Sequence, residues 1–281
     1  MTLYHYEQVR PPAALANTIE CFWRLLMPTS PPPDEILSAE GRAEILFQFE
    51  GHSQAISPTA NTPFACMSSW IVRPYAHALR VQQVGVSASA MIGVRFVPGG
   101  WAAFQRNTDD HAHPLILLSD FYAPMDVRIL EEQLYDTLYT SHWTDPLIRY
   151  FTCHLNAPLH SERMAYAAQH LLRQEISIST LARQVNLSER QFSRVFRNLV
   201  GLAPKQFERV ARINRVLYSP DYTVNALTLQ QMAVRHGYHD AAHLTHEFQY
   251  LVGTSPAQYF SKIHALIAQK NLKDGRFLQS E

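Results

Sequence analysis

The strongest constraint on this chain is a pattern that occurs twice in its C-terminal part. "ISISTLARQVNLSERQFSRVFRNLVGLAPKQF" begins at Ile176 and "LTLQQMAVRHGYHDAAHLTHEFQYLVGTSPAQY" begins at Leu227. With one residue inserted in the turn of the second copy, Leu181 matches Met232, Ala182 matches Ala233 and Leu187 matches Tyr238. Ser188 then matches Asp240, Phe192 matches Leu244 and Phe196 matches Phe248. Gly201 matches Gly253, Pro204 matches Pro256 and Phe207 matches Tyr259. Apolar residues recur at three- and four-residue intervals, which predicts helices with one buried face.

The punctuation places those helices. Ser177 caps a helix through Ala182 to Val185. Ser188 caps the next, with Gln191 three residues on to complete a capping box. In the second copy Thr228 and Gln231 form the same box, and Asp240 is the second cap. Asn186 and Gly237 fall in the turns, where a left-handed backbone is needed and these two residue types tolerate it. Small Ala182 and Ala233 sit where the first helix must approach the second. Each copy is therefore a short helix, a tight turn and a longer helix. That is the layout whose second helix enters the DNA major groove.

Charge is distributed to match. The net charge of zero conceals a split. Residues 1–160 carry 9 arginines, no lysine and 15 carboxylates, a net −6, whereas residues 161–281 carry 15 lysines and arginines against 9 carboxylates, a net +6. A basic half points to an anionic partner for that half.

With these residues in place, the segment from about residue 161 to 262 resembles the DNA-binding domain of the AraC/XylS family of bacterial transcription regulators. The second copy carries the family's alanine in "MA", "GY" for the usual "GF", then L-x-x-x-F and "GTSPAQY". The resemblance implies two helix-turn-helix units (177–200 and 228–252) joined by a linking helix, Pro204 to Tyr218, each reading one of two successive major-groove segments. It implies base and backbone contacts from Ser188, Arg190, Gln191, Ser193, Arg194 and Arg197 in the first copy. In the second it implies Ala241, Ala242, His243, Thr245 and His246. Arg190 and Arg194 are i, i+4 neighbours suited to bidentate guanine contacts or to phosphate. The second copy departs from the family's Arg or Gln at the reading positions, so the first unit should supply most of the affinity. Seven Lys and Arg stand against two Glu between Glu189 and Arg215.

His236, His239, His243 and His246 raise the alternative of a metal site. His243 and His246 are helical neighbours, but His239 precedes the Asp240 cap and His236 ends the previous helix. Zinc needs tetrahedral ligands already in place, and this arrangement does not offer them. The histidines read as exposed positions around a turn fixed by Gly237, Tyr238, Asp240, Leu244 and Phe248, and no metal is expected. A groove-facing His246 could donate to a base or phosphate.

The N-terminal half is β-rich. "AEILFQFEG", "HALRVQQVGVS" and "AMIGVRFVPGG" have strand character and end at Gly or Pro, and the three prolines of "MPTSPPPDE" make a loop. From about Pro124 the period becomes helical. Val127, Leu130, Leu134 and Leu138 form a stripe that is either a dimer seam or a face packed on the β domain. Packing is favoured because the stripe spans fewer than two heptads. Segments 11–25, 36–51 and 92–104 resemble the module ahead of some AraC-type domains, with Ser38-Ala39-Glu40-Gly41 in place of the usual Pro-Asp-Gly. That implies a small barrel-like effector domain. Trp23, Trp70, Arg95 and Trp101 are its candidate pocket residues, since aromatics and one cation suit a small organic anion, with core packing as the plainer role. "TDDHAH" (108–113) reads as a polar loop.

The expected fold class is thus α+β multidomain. It comprises a β-rich regulatory domain (1–122), a helical connector (123–160), an all-helical DNA-binding domain (161–268) and a tail (269–281). Its expected function is one-component, sequence-specific transcription regulation, with operator DNA as partner. A small-molecule or protein effector acts on the N-terminal domain, and RNA polymerase contact and homodimerisation are further possibilities. No cofactor is expected. No GxSxG, HExxH, CxxC or Walker pattern occurs, so an enzyme is not expected. The alternatives are an interaction protein that kept the fold but lost DNA binding, and a metal-binding or enzymatic N-terminal domain fused to a helix-turn-helix module. Three scattered cysteines, no apolar run near ~18 residues and no basic-then-apolar start predict a cytoplasmic chain without a membrane span or signal peptide.

Overall fold

The structure is a computed structural model and describes residues 5–27, 34–57, 63–66, 68–84, 88–104, 114–156, 159–174, 176–219 and 227–262. Most of the proline loop, the 108–113 segment and the expected tail lie outside the described residues.

Among the described residues, ten strands precede the α-helices: β1 (His5–Val9), β2 (Ile19–Met27), β3 (Asp34–Leu37), β4 (Glu44–Glu50), β5 (Ser53–Ile56), β6 (Phe64–Cys66), β7 (Ser69–Val72), β8 (Leu79–Gln83), β9 (Ser89–Phe96) and β10 (Leu115–Leu117). They form two sheets. The six-stranded one runs β1-β2-β9-β4-β7-β10 and the four-stranded one β3-β8-β5-β6. All their pairings are antiparallel. The β-rich expectation holds, but the barrel-like shape does not: each sheet keeps its own edges. Gly51, at φ 79°, turns the chain from β4 in one sheet into β5 in the other rather than back along a closing ladder.

Both faces of the larger sheet are buried. Phe22, Ile45, Phe47, Ile71, Ile92, Val94 and Phe96 face one core, and Cys21, Trp23, Leu46, Trp70 and Val72 face the other. A sheet covered on both sides has no polar face, so β2 and β9 read as near-continuous apolar runs. The second core lies against Ala55, Cys66 and Leu79 of the smaller sheet. The first is covered by a 3-10 turn (Gly100–Phe104) and by α1 (Leu118–Phe121), α2 (Pro124–Thr137) and α3 (Asp145–His154). The stripe Val127, Leu130, Leu134 and Leu138 is at most 3% exposed and belongs to this core, so it packs on the sheet and is not a seam. Arg24, itself buried, ties the end of α2 down. It donates to the carbonyls of Leu138 at 2.6 Å and Thr140 at 3.0 Å, pairs with Glu7 at 2.5 Å and lies over the Trp143 ring.

The remaining helices are α4 (Ser161–Arg173), α5 (Ile178–Gln184), α6 (Glu189–Val200), α7 (Pro204–Leu217), α8 (Leu229–Arg235) and α9 (Ala241–Val252). They share one core in which Leu181, Phe192, Phe196, Phe207, Ala233, Leu244 and Phe248 are fully buried, with Met232 nearly so. These are the matched positions of the repeat, which is why the repeat exists. No helix among the described residues is long and apolar enough to cross a membrane.

Candidate nucleic-acid interface

The two repeat units are built alike down to single backbone bonds. In the first, Ser177 Oγ accepts from Thr180 N at 3.1 Å to start α5. Asn186 then takes φ 56°, and Leu187 N donates to Ala182 O at 2.9 Å to close the turn. Ser188 and Gln191 complete the expected box: Gln191 N donates to Ser188 Oγ at 3.3 Å and Ser188 N to Gln191 Oε1 at 3.1 Å. In the second, the box stands instead at the start of α8, where Thr228 N donates to Gln231 Oε1 at 2.8 Å and Gln231 N to Thr228 Oγ1 at 3.3 Å. Gly237 takes φ 73°, and Tyr238 N donates to Ala233 O at 2.8 Å. The inserted residue is His239, pushed out to 88% side-chain exposure and paired with Asp240 at 2.9 Å. Both longer helices end on a left-handed glycine, Gly201 at φ 93° and Gly253 at φ 80°, each donating back to a carbonyl of the last turn. Glycine reaches this conformation without the Cβ clash that other residues suffer.

The exposed faces of α6 and α9 differ in chemistry. Arg190, Ser193, Arg194 and Arg197 are all exposed along α6. Ser193, Arg194 and Arg197 line an open groove of about 640 Å³ with Asn198 and Lys205 at the start of α7. Neither Asn198 nor Lys205 was singled out from the sequence. Ser188 and Gln191 are exposed too, but Ser188 Oγ and Gln191 Oε1 are engaged in the cap. On α9, Ala242, His243 and His246 are exposed and Ala241 is half-buried. Thr245 turns its hydroxyl back to Ala241 O at 2.7 Å. Asp240 accepts from His243 N at 2.7 Å, and this bond, with His239 beside it, holds its carboxyl below the ordinary range. Gln230 reaches over from α8 to accept from Ala241 N at 3.0 Å. The four histidines do not converge. His239 pairs with Asp240, and His243 meets the Tyr238 ring edge-on at 5.3 Å. Among the described residues no three His, Cys, Asp or Glu side chains come together as a metal site.

One polar group that fixes the second unit escaped the sequence reading. Glu247 lies on the inner side of α9, 6% exposed, and accepts from Arg209 Nε of α7 at 2.6 Å. Beside it Arg212 covers the Tyr238 ring at 5.3 Å and donates to Gly237 O at 3.3 Å. The signal was available: Glu247 stands three residues after Leu244 and four before Leu251, on the apolar stripe.

The structure divides the four candidate effector residues. Trp23 and Trp70 lie between the two sheets. Gly93 makes room for Trp23, since a Cβ there would sit 2.1 Å from the indole. The indole Nε1 is buried without a hydrogen-bond partner. Arg95, opposite Cys21 on β9, is on the same face and is paired with Glu44 at 2.5 Å. Trp101 is elsewhere, against Phe96, Phe121 and Tyr122 on the helix side of the sheet. Burial pushes the Cys21 thiol up and the Cys66 thiol to about 11, so both stay protonated and poorly nucleophilic near neutral pH.

Residues 181–262 match the model of a helix-turn-helix domain, and residues 7–111 match a domain of unknown function (DUF6597). No curated relative matches the chain by sequence. Among solved structures, ToxT from Vibrio cholerae is similar over 92% of this chain and 97% of its own, at 7% identity and a TM-score of 0.46. The DNA-binding domain of AdpA, the global transcriptional factor, solved in complex with a target DNA, is 29% identical over 39% of this chain and 96% of its own, with a TM-score of 0.33. The AraC-like transcriptional activator CuxR is 10% identical over 75% of this chain and 86% of its own, with a TM-score of 0.31. The doubled units and the family match together make the C-terminal part of this chain an AraC-type helix-turn-helix domain, carried behind a β-rich module that matches a domain of unknown function.

Proposed function

We propose that the protein is a one-component transcription regulator in which α6 and α9 read two successive major-groove segments and the N-terminal module modulates that reading. One observation carries this. Two helices, each capped by a side chain that accepts from its third residue's amide, leave one face open to solvent, and α6 offers Arg190, Arg194 and Arg197 along that face. Arg190 and Arg194 serve as base or phosphate contacts, and Arg197 with Lys205 as phosphate contacts from the groove wall. On α9, Ala241 and Ala242 suit thymine methyls and His246 donates to a base or phosphate. Ser188, Gln191, His243 and Thr245 shape the two helix starts.

The effector enters between the sheets, on the face that carries Trp23, Trp70 and Arg95; Trp101 is left to the core. A homodimer would use the outer side of α2 and the turn after it, where Met125, Ile129, Tyr135 and Tyr139 are 46–65% exposed. Arg194→Ala tests the reading. It should weaken binding to a selected operator by about 1–3 kcal/mol and relax specificity at one base. Lys205→Ala should weaken all duplexes alike and shallow the salt slope by about one. Unchanged affinity in both variants would remove α6 as the reading helix.

A further inference from the structure

The C-terminal ends of both reading helices rest on the N-terminal module. The last carbonyls of a helix have no partner inside it and must find one outside. At the end of α9 two backbone amides of the module supply it: Ala39 N donates to Leu251 O at 2.6 Å, and Ala78 N donates to Tyr250 O at 3.1 Å. The packing there is tight. A Cβ at Gly253 would lie 2.6 Å from Ile36 and 2.9 Å from Ala78 Cβ. The end of α6 meets the module by packing alone, with Gly201 against Pro74 at 3.3 Å and Gly99 against Val200 at 3.4 Å, both measured from the ideal Cβ position. Between them the linking helix α7 is met at Phe207, whose ring would lie 2.8 Å from a Cβ at Gly41. Ala39 is fully buried within the helical core.

These contacts touch the opposite ends of α6 and α9 from those that carry Arg190, Arg194, Ala241 and Ala242. The module therefore does not cover the reading turns; it fixes where the two helices stand relative to each other. Two segments carry the contacts to α9, to Phe207 and to Gly201, 38–43 between β3 and β4 and 73–78 between β7 and β8, while α6 also packs on the 3-10 turn. Each connects a strand of one sheet to a strand of the other. A change in the separation of the sheets would shift both segments, and with them the end of α9.

We propose that the N-terminal module determines which half-site spacing the protein accepts, by gripping the C-terminal ends of α6 and α9 through these two sheet-crossing segments. This rests on the DNA-reading function proposed above. It makes Ala39, Gly41, Pro74 and Ala78 positioning residues for recognition, although none of them faces DNA.

The test uses the full chain on duplexes whose two selected half-sites are set at the preferred spacing and then shifted by one or two base pairs. Wild type should lose about tenfold or more on the shifted duplexes, the size of one lost base contact. Gly41→Val, which wedges the module away from Phe207, should lose less than about threefold on the same shift. It should keep its affinity for a duplex carrying only the α6 half-site. Equal spacing penalties in the two proteins would overturn the clamp and leave the DNA reading standing. A wild type that binds no duplex would overturn the reading and the spacing role with it. Hydrogen exchange on the wild type checks the grip without any variant: the Ala39 and Ala78 amides should exchange as slowly as those of helix interiors. Exchange at the rate of open loops would overturn the proposal.

Discussion

Arg209→Ala should destabilise the helical domain far more than Glu247→Leu, although the two side chains make one ion pair. Glu247 is 8% exposed at its side chain and Arg209 43%. Removing Arg209 strands a carboxylate in the seam between α7 and α9, with the buried Tyr238 hydroxyl as the polar group left beside it. Breaking a fully buried pair costs about 3–5 kcal/mol, because one charge is left unpaired. Arg209 is half in water, so the lower part of that range applies, and some solvent can reach the vacated place. Its contact over the Tyr250 ring, 5.6 Å from the centroid, adds a few tenths. The expected loss is about 2–3 kcal/mol. Glu247→Leu removes the buried charge itself and leaves Arg209 free to turn into solvent, losing only the carboxylate beside the Tyr238 hydroxyl, so it should cost about 1 kcal/mol. The double variant should recover at least half of the Arg209→Ala loss. Urea unfolding followed by helical circular dichroism, run on all four proteins as a double-mutant cycle, measures this. A Glu247→Leu loss equal to or larger than that of Arg209→Ala would refute the argument from burial.

Three further outcomes follow from the same geometry. Arg24→Ala should lower the stability of the N-terminal core by about 2 kcal/mol, because it uncaps Leu138 and Thr140 and leaves Glu7 with the Trp143 indole but without its guanidinium; a limited-proteolysis site opening at the end of α2 would report it. Gly237→Ala places a Cβ on a residue at φ 73° and should cost about 1–2 kcal/mol in thermal unfolding. The Asp240 carboxyl is held below its ordinary 3.8 in the folded chain. A group with a lowered folded pKa stabilises at pH above its unfolded value and loses that contribution as pH falls through the folded one. The first turn of α9 should therefore loosen below about pH 4, seen as faster exchange of the His243 amide, and Asp240→Asn should abolish the pH dependence.

How much of this could be read from residues alone depended on whether side chains or backbone carried the information. The helix-turn-helix units were legible because every defining position repeats: an apolar anchor such as Phe192 or Leu244, a cap such as Ser188 or Asp240, a left-handed turn residue such as Asn186 or Gly237. The sheet order was not legible. Strands buried on both faces lose the alternation that marks an inward side, so Trp23 and Trp101 could not be assigned to opposite faces. Two sheets and a closed barrel also share one strand pattern. The stripe of α2 was read in the right direction because four leucine and valine positions are too few for a stable coiled coil. Glu247 was hidden by its charge, which suggests solvent until Arg209 is placed opposite. The grip on α6 and α9 was least legible, because it is made by backbone amides and by the missing Cβ atoms of Gly41, Gly201 and Gly253. Small residues leave no pattern.

The most direct test of the account is selection of duplexes by the full-length protein from a randomised DNA pool, with binding of the enriched sequences then titrated against salt. The account predicts two distinct half-sites about 10–10.5 base pairs apart, centre to centre. The half-site read by α6 should be the more sharply defined, and affinity should fall steeply as salt rises. A pool that stays random and shows no salt-dependent binding would contradict the claim that α6 and α9 read DNA.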